Sequence, residues 1–177
     1  MSSILILTGP PGTGKTTAAG AVAGRFARAV HLESDRFFGV VRSGYVEPWK
    51  PESHPQNEIV MRAVAAAARC YAEGGYTTIV EGIVLPRWFL EPLRTSFRDA
   101  GLGTSYAVLR APLEICLSRS SARRDQPLSD PDVVSELWRQ FADLGPLEPH
   151  AIDVSHRTVD EVAATIAARL DDGSLEL

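Results

Sequence analysis

The stretch GPPGTGKTT at residues 9–17 follows the apolar run ILILT at residues 4–8. It fits the spacing GxxxxGK[ST], between a segment that reads as a strand and one that reads as a helix. Glycines in such a loop let the backbone turn its N–H groups inward around phosphate oxygens. The helix opening near Lys15 adds its positive end. Lys15 has the reach for the outer phosphates of a nucleoside triphosphate, and the Thr16 hydroxyl suits Mg²⁺. The expected nucleotide contacts are Gly9, Pro10, Pro11, Gly12, Thr13, Gly14, Lys15, Thr16 and Thr17. Pro10, Pro11 and Thr13 are a spelling common in ring-forming ATP-driven motors. The same loop serves small kinases, so the fate of the γ-phosphoryl must be read elsewhere.

Ser34-Asp35-Arg36 lies twenty residues beyond Lys15. A carboxylate there can face the γ-phosphate and take or orient the proton of an attacking hydroxyl. Asp35 has a second reading as the N-cap of a short helix over residues 36–41. Arg36 suits an acceptor anion or the surface. Glu81, before Gly82, could hold Mg²⁺ through water or orient the acceptor, and Gly82 would let backbone approach a ligand. The segment GVVRSGYVEPWKPESHPQN, residues 39–57, is long for a plain connection. Its Arg42, Tyr45, Trp49, Lys50, His54 and Asn57 offer stacking faces and hydrogen bonds to a small polar acceptor. His31, inside a strand pattern, reads as a satisfied core histidine. Arg119, Arg123 and Arg124 stand near a helix end in the candidate lid, residues 119–131, where arginines could fold over a triphosphate and exclude water. The alternative is a solvated basic helix end.

The elements that must position these groups alternate along the chain. Strands are predicted at residues 3–8, 29–33, 77–81, 105–110 and 151–154. Helices are predicted at 15–27, 58–72, 87–100, after Pro112, at 131–144 and at 159–170. Such alternation implies an α/β fold with a five-stranded parallel sheet between helical layers, an αβα sandwich. Ligands in such sheets bind beyond the carboxyl ends of the strands, where residues 9–17, Asp35, Glu81 and Arg110 fall.

The length of 177 residues fits one domain over 1–177, with an acceptor insert at about 36–57. The formal net charge of −4 argues against nucleic acid as the main partner. No window approaches the roughly 18 apolar residues of a membrane span. Only Met1, Ser2 and Ser3 precede the first apolar run, so no signal peptide is expected and the location expected is cytoplasmic. Cys70 and Cys116 read as buried thiols.

Taken together, GPPGTGKTT, HLESDRFF, TTIVEGIV, RSSARRDQPLSDP and AIDVS resemble a small P-loop kinase of the group holding shikimate, gluconate and nucleoside monophosphate kinases. The chain resembles chloramphenicol phosphotransferase-like proteins more closely, and SDRFFG with PWKPESHPQN is similar to a pattern of bacterial ATP-binding proteins. The resemblance implies a nucleoside-kinase-like P-loop NTPase fold with a short arginine-bearing lid. It also implies ATP and Mg²⁺ as cofactors, a small-molecule hydroxyl acceptor and Asp35 as base. Lid arginines Arg119, Arg123 and Arg124 would touch the nucleotide, and the loop near Asp153 and Ser155 would lie beside adenine. The Asp-x-Asp pair of shikimate kinases appears here only as Glu33-Ser34-Asp35. Ring-forming motors would show paired carboxylates after the third strand and a further helical domain, and regulatory GTPases an NKxD motif. Neither pattern is present. A regulatory or interaction ATPase without kinase activity, and a polynucleotide or nucleotide kinase, remain the alternatives.

Overall fold

The computed structural model describes residues 3–122 and 130–177. Arg123 and Arg124 lie outside the described residues. The chain runs β1 (Ser3–Thr8), α1 (Lys15–Ala23), β2 (Ala29–Glu33), α2 (Ser34–Phe38), α3 (His54–Glu73), β3 (Thr77–Glu81), α4 (Leu90–Asp99), β4 (Gly103–Arg110), α5 (Leu113–Ser121), α6 (Pro131–Gln140), β5 (Ala151–Asp153) and α7 (Val159–Asp171). The five strands form one parallel sheet in the order β2-β3-β1-β4-β5.

β1 is central, and its apolar residues are buried on both faces, as a covered parallel strand requires. Successive side chains alternate between two cores. Ile4 and Ile6 join Val80, Tyr106 and Val108 under α3 and α4. Leu5 and Leu7 join Ile79, Ala107 and Leu109 under α1 and α7. Among the described residues no helix is long and apolar enough to cross a membrane.

Several boundaries differ from the sequence expectation for local reasons. α3 begins at His54, four residues early, because Pro55 sits in the first helical turn, where no N–H is needed. α4 begins at Leu90, three residues late. Leu85 pairs with Trp88 and Phe89 in a tight turn, and Phe89 takes a positive φ of 66°. α1 stops at Ala23, where the Gly24 N–H closes onto the Gly20 carbonyl. Cys116 is buried, whereas Cys70 is exposed on the outer face of α3, contrary to the expectation of two buried thiols.

The last residues carry an element that the sequence does not advertise. β5 pairs only with the carboxyl half of β4, leaving the other half of that edge open. The tail fills it: Tyr106 N–H donates to the Leu175 carbonyl at 2.8 Å and Leu177 N–H to the Thr104 carbonyl at 3.1 Å. Unpaired strand edges are liabilities, and covering them is the usual remedy. Leu175 is fully buried in the α1–α7 core. Leu175→Ala is therefore expected to cost about 2–5 kcal/mol in urea unfolding. A loss under about 1 kcal/mol would show that the tail only rests on the surface.

Candidate active site

The loop between β1 and α1 is buried through Thr13, while Thr16 and Thr17 face solvent. Gly12 packs so closely on α5 that an added Cβ would lie 2.3 Å from the Cys116 carbonyl oxygen, and its φ is 83°. Only glycine fits there. Thr13 donates to the Pro10 carbonyl at 2.8 Å, and Lys15 Nζ donates to the same carbonyl at 3.2 Å. The loop is thus held from within, and the ammonium lies across its mouth.

Glu81 ends β3, adjacent in the sheet to Leu7 of β1 and Glu33 of β2. Its residue surface is only 6% exposed, so a strand-end charge reaching solvent is ruled out. Thr16 Oγ1 donates to Glu81 Oε2 at 3.1 Å. Burial by itself would raise the Glu81 carboxyl. The approach of His31, the Lys15 charge and the Thr16 hydroxyl outweigh it and hold the pKa below its usual value. His31 is not the satisfied core histidine expected: its Nε2 is buried without a hydrogen-bond partner, 3.7 Å from Glu81 Oε2.

Asp35 sits inside α2, whose N-cap is Glu33, so it does not cap the helix. Asp35 is exposed to solvent as a residue. The crowded surroundings nonetheless raise its carboxyl pKa, chiefly by desolvation. The Lys15 charge opposes the rise, while Glu81 and Glu33 reinforce it. Gly82 positions this turn: a Cβ there would stand 2.0 Å from Ser34 Oγ. The neighbour at Gly82 is therefore a side chain of this protein, and Ser34 is the residue just before Asp35. Arg36 is paired with Glu33 at 2.7 Å and is otherwise exposed.

A cleft of about 350 Å³ beside the loop is lined by Gly12, Thr13, Gly14, Arg119, Val154 and Arg157, among others. Asp153 and Ser155 are not among its lining residues. The Asp153 carboxylate accepts from the Ser155 N–H and hydroxyl within its own turn. Arg157 was missed by the sequence reading. A lone arginine in a late loop carries no motif, and only the fold brings it opposite Arg119.

Residues 39–57 divide into framework and free surface. Asn57 is fully buried, donating to the Pro48 carbonyl at 2.8 Å and Ser53 Oγ at 2.9 Å. Gln56 bonds both backbone groups of Val46. Asn57 thus pins the segment to α3, where a ligand contact was expected. His54 is exposed on α3 with Glu58 3.3 Å away. Lys50 pairs with Glu47 at 2.7 Å, Arg42 is exposed and Trp49 is half-buried. The Tyr45 phenol pKa is raised by partial burial, then by the charges of Glu47 and Asp35, which sets Tyr45 within electrostatic reach of Asp35. Arg110, the last residue of β4, is locked to Glu148 by two 3.0 Å bonds and serves the framework.

The donor set of one hydroxyl and one buried carboxylate suits a hard, largely phosphate-bound Mg²⁺, and among the described residues no group of three or more potential ligands gathers. The arrangement and sheet order are those of a P-loop kinase fold. Solved structures similar along nearly the whole length include the tunicamycin resistance protein of Deinococcus radiodurans, with TM-score 0.73, 24% identity and 96% of each chain covered. A sugar kinase from Janibacter gives 0.68 and 22%, covering 96% of this chain and 94% of that one. The Mycobacterium tuberculosis APS kinase in complex with AMPPNP and APS gives 0.71 and 18%, covering 96% and 97%. A family model described as an AAA domain matches residues 4–145, and the chain belongs to that family. No curated protein matches it.

Two tests follow from this geometry. Gly82→Ala must displace Ser34 and is expected to destabilise the fold by about 1–3 kcal/mol in urea unfolding. An unchanged midpoint would mean that the turn yields freely. Asp35 holds its proton more tightly folded than unfolded, so its ionisation works against folding. That penalty is absent below the ordinary value of 3.8, grows up to the raised folded value and is complete at neutral pH. Asp35→Asn should melt at higher temperature than the parent at pH 7, with the gain closing as pH falls toward 3.8. A gain independent of pH would point to a cause other than charge.

Proposed function

We propose that the protein is a phosphotransferase that moves the γ-phosphoryl of Mg·ATP to a hydroxyl of a small molecule. The observation that supports this reading is the carboxylate of Asp35, in α2 just beyond the end of β2 and within electrostatic reach of Lys15 and Glu81. A carboxyl whose pKa is raised by its surroundings is a better proton acceptor for an alcohol than an ordinary aspartate. Asp35 takes or orients the proton of the attacking hydroxyl. Lys15 balances charge on the transferring phosphoryl, and the backbone N–H groups of residues 9–17 cradle the remaining phosphates. Thr16, backed by Glu81, would hold Mg²⁺, which when bound neutralises charge on the phosphate oxygens. Arg119 and Arg157 flank the side where the nucleoside would lie. The arginine-bearing lid, with Arg123 and Arg124, would exclude water so that ATP is not hydrolysed.

The acceptor side is acidic, with Glu33, Asp35 and Glu81 together, and the nearest arginine in sequence, Arg36, is engaged by Glu33. An uncharged or cationic alcohol suits this environment better than a carboxylate or phosphate ester. The likeness in fold to a sugar kinase supports a polyol-like acceptor. The sheet-end cluster of Asp35 with Lys15 makes a regulatory ATPase without transfer the less economical alternative. The absence of a strong positive balance weakens the polynucleotide kinase reading.

The experiment is ATP consumption against a panel of hydroxyl compounds, followed by Asp35→Asn on any acceptor found. Removing the base is expected to lower kcat about 10²- to 10⁴-fold. ATP affinity should stay within about threefold, because Asp35 meets the acceptor and not the nucleotide. Transfer at the parent rate by Asp35→Asn would remove Asp35 from that role. A panel without any acceptor would favour the regulatory reading.

A further inference from the structure

His31 is placed where a plain core residue has no reason to be. It stands on β2 one strand away from Glu81, and its Nε2 is buried, without a hydrogen-bond partner, 3.7 Å from Glu81 Oε2. A buried polar nitrogen without a partner carries a desolvation cost that an apolar residue of similar size would avoid. The same Glu81 oxygen accepts the hydroxyl proton of Thr16 at 3.1 Å. The three groups therefore form a line, His31 to Glu81 to Thr16, running from the sheet to the phosphate loop.

We infer that His31 is a positioning residue for the magnesium-nucleotide site, holding the Glu81 carboxylate in the orientation that lets it serve Thr16 and the cation. The inference rests on the Mg·ATP reading of the loop. The gap of 3.7 Å is longer than a hydrogen bond and shorter than a separation that water could bridge. A shift of the Glu81 side chain by a fraction of an ångström toward the sheet closes it. Nε2–H then donates to Oε2, the oxygen that also accepts from Thr16, and holds the carboxylate against the phosphate loop. Residues that orient a metal-binding carboxylate in this way act on cation affinity and leave nucleotide contacts alone.

The test uses Mn²⁺ as a spectroscopic stand-in for Mg²⁺, counted by the paramagnetic resonance of the free ion, with the full-length protein and the non-hydrolysable triphosphate AMPPNP. His31→Leu is expected to weaken Mn²⁺ binding in the ternary complex about tenfold. Affinity for AMPPNP in the presence of a chelator should move by less than about twofold. His31→Gln, long enough to donate to Glu81, should recover most of the loss. His31→Asn, polar but too short, should not, and it carries the same test if the leucine variant fails to fold. Unchanged Mn²⁺ affinity in His31→Leu or His31→Asn overturns the inference. Equal losses with and without metal, or a glutamine variant no better than leucine, overturn it as well. A parent protein that binds no Mn²⁺ beside AMPPNP overturns both this inference and the metal-nucleotide reading. A parent that binds Mn·AMPPNP yet phosphorylates no alcohol sinks the kinase reading alone.

Discussion

A buried carboxylate has to be answered, and Glu81 is answered by the phosphate loop. The 3.1 Å bond from Thr16 joins the first turn of α1 to the end of β3. It can form because β1 and β3 are neighbours, with Leu7 and Glu81 in register. An ionised carboxylate 6% exposed would be costly without such partners. Its requirements therefore bind together the loop, β3 and, through His31, β2. The close contact of Gly82 on Ser34 then carries the same constraint one residue further, to the turn bearing Asp35.

The two carboxylates beside Lys15 are driven apart by their surroundings. Glu81 is enclosed yet supported by a hydroxyl, an imidazole and an ammonium, so its proton is lost easily. Asp35 has only Lys15 on the favourable side, with desolvation and two like charges against it. Divergent environments of this kind make two neighbouring carboxyls hold their protons differently, Glu81 less tightly and Asp35 more tightly than usual. In the proposed reaction Glu81 would back Thr16 at the cation, and Asp35 would be left for the acceptor side.

Much of the framework was legible because parallel-sheet strands are short apolar runs punctuated by glycine, proline or charge. β1, β2 and β3 fall where the sequence places them for that reason. The loop was legible because phosphate binding demands glycine at fixed spacing. What was not legible depends on distant partners. His31 looks the same in sequence whether it is satisfied in a core or aimed at a carboxylate fifty residues away. Asn57 reads as a ligand contact in sequence, since nothing local reveals that its amide nitrogen donates to Pro48 and Ser53. The tail, with two acidic residues among its last six, gave no strand pattern, and only the open edge of β4 makes it one.

The spelling GPPGTGKTT and the family match both point to a bound nucleotide, and neither decides where a phosphoryl goes. The decision lies in what the sheet puts opposite the loop. β3 delivers a single carboxylate and then a glycine, and that glycine is filled by Ser34. A second carboxylate at residue 82 would collide with the turn that carries Asp35. The same crowding that excludes a paired acidic motif thus sets the turn bearing Asp35 against the end of β3. Residues 46–53 are pinned beside α3 by the bonds of Ser53, Gln56 and Asn57 to the backbone of Val46, Pro48 and Lys50. The phosphate loop is common property, and in the proposed kinase the acceptor chemistry would fall to the turn after β2.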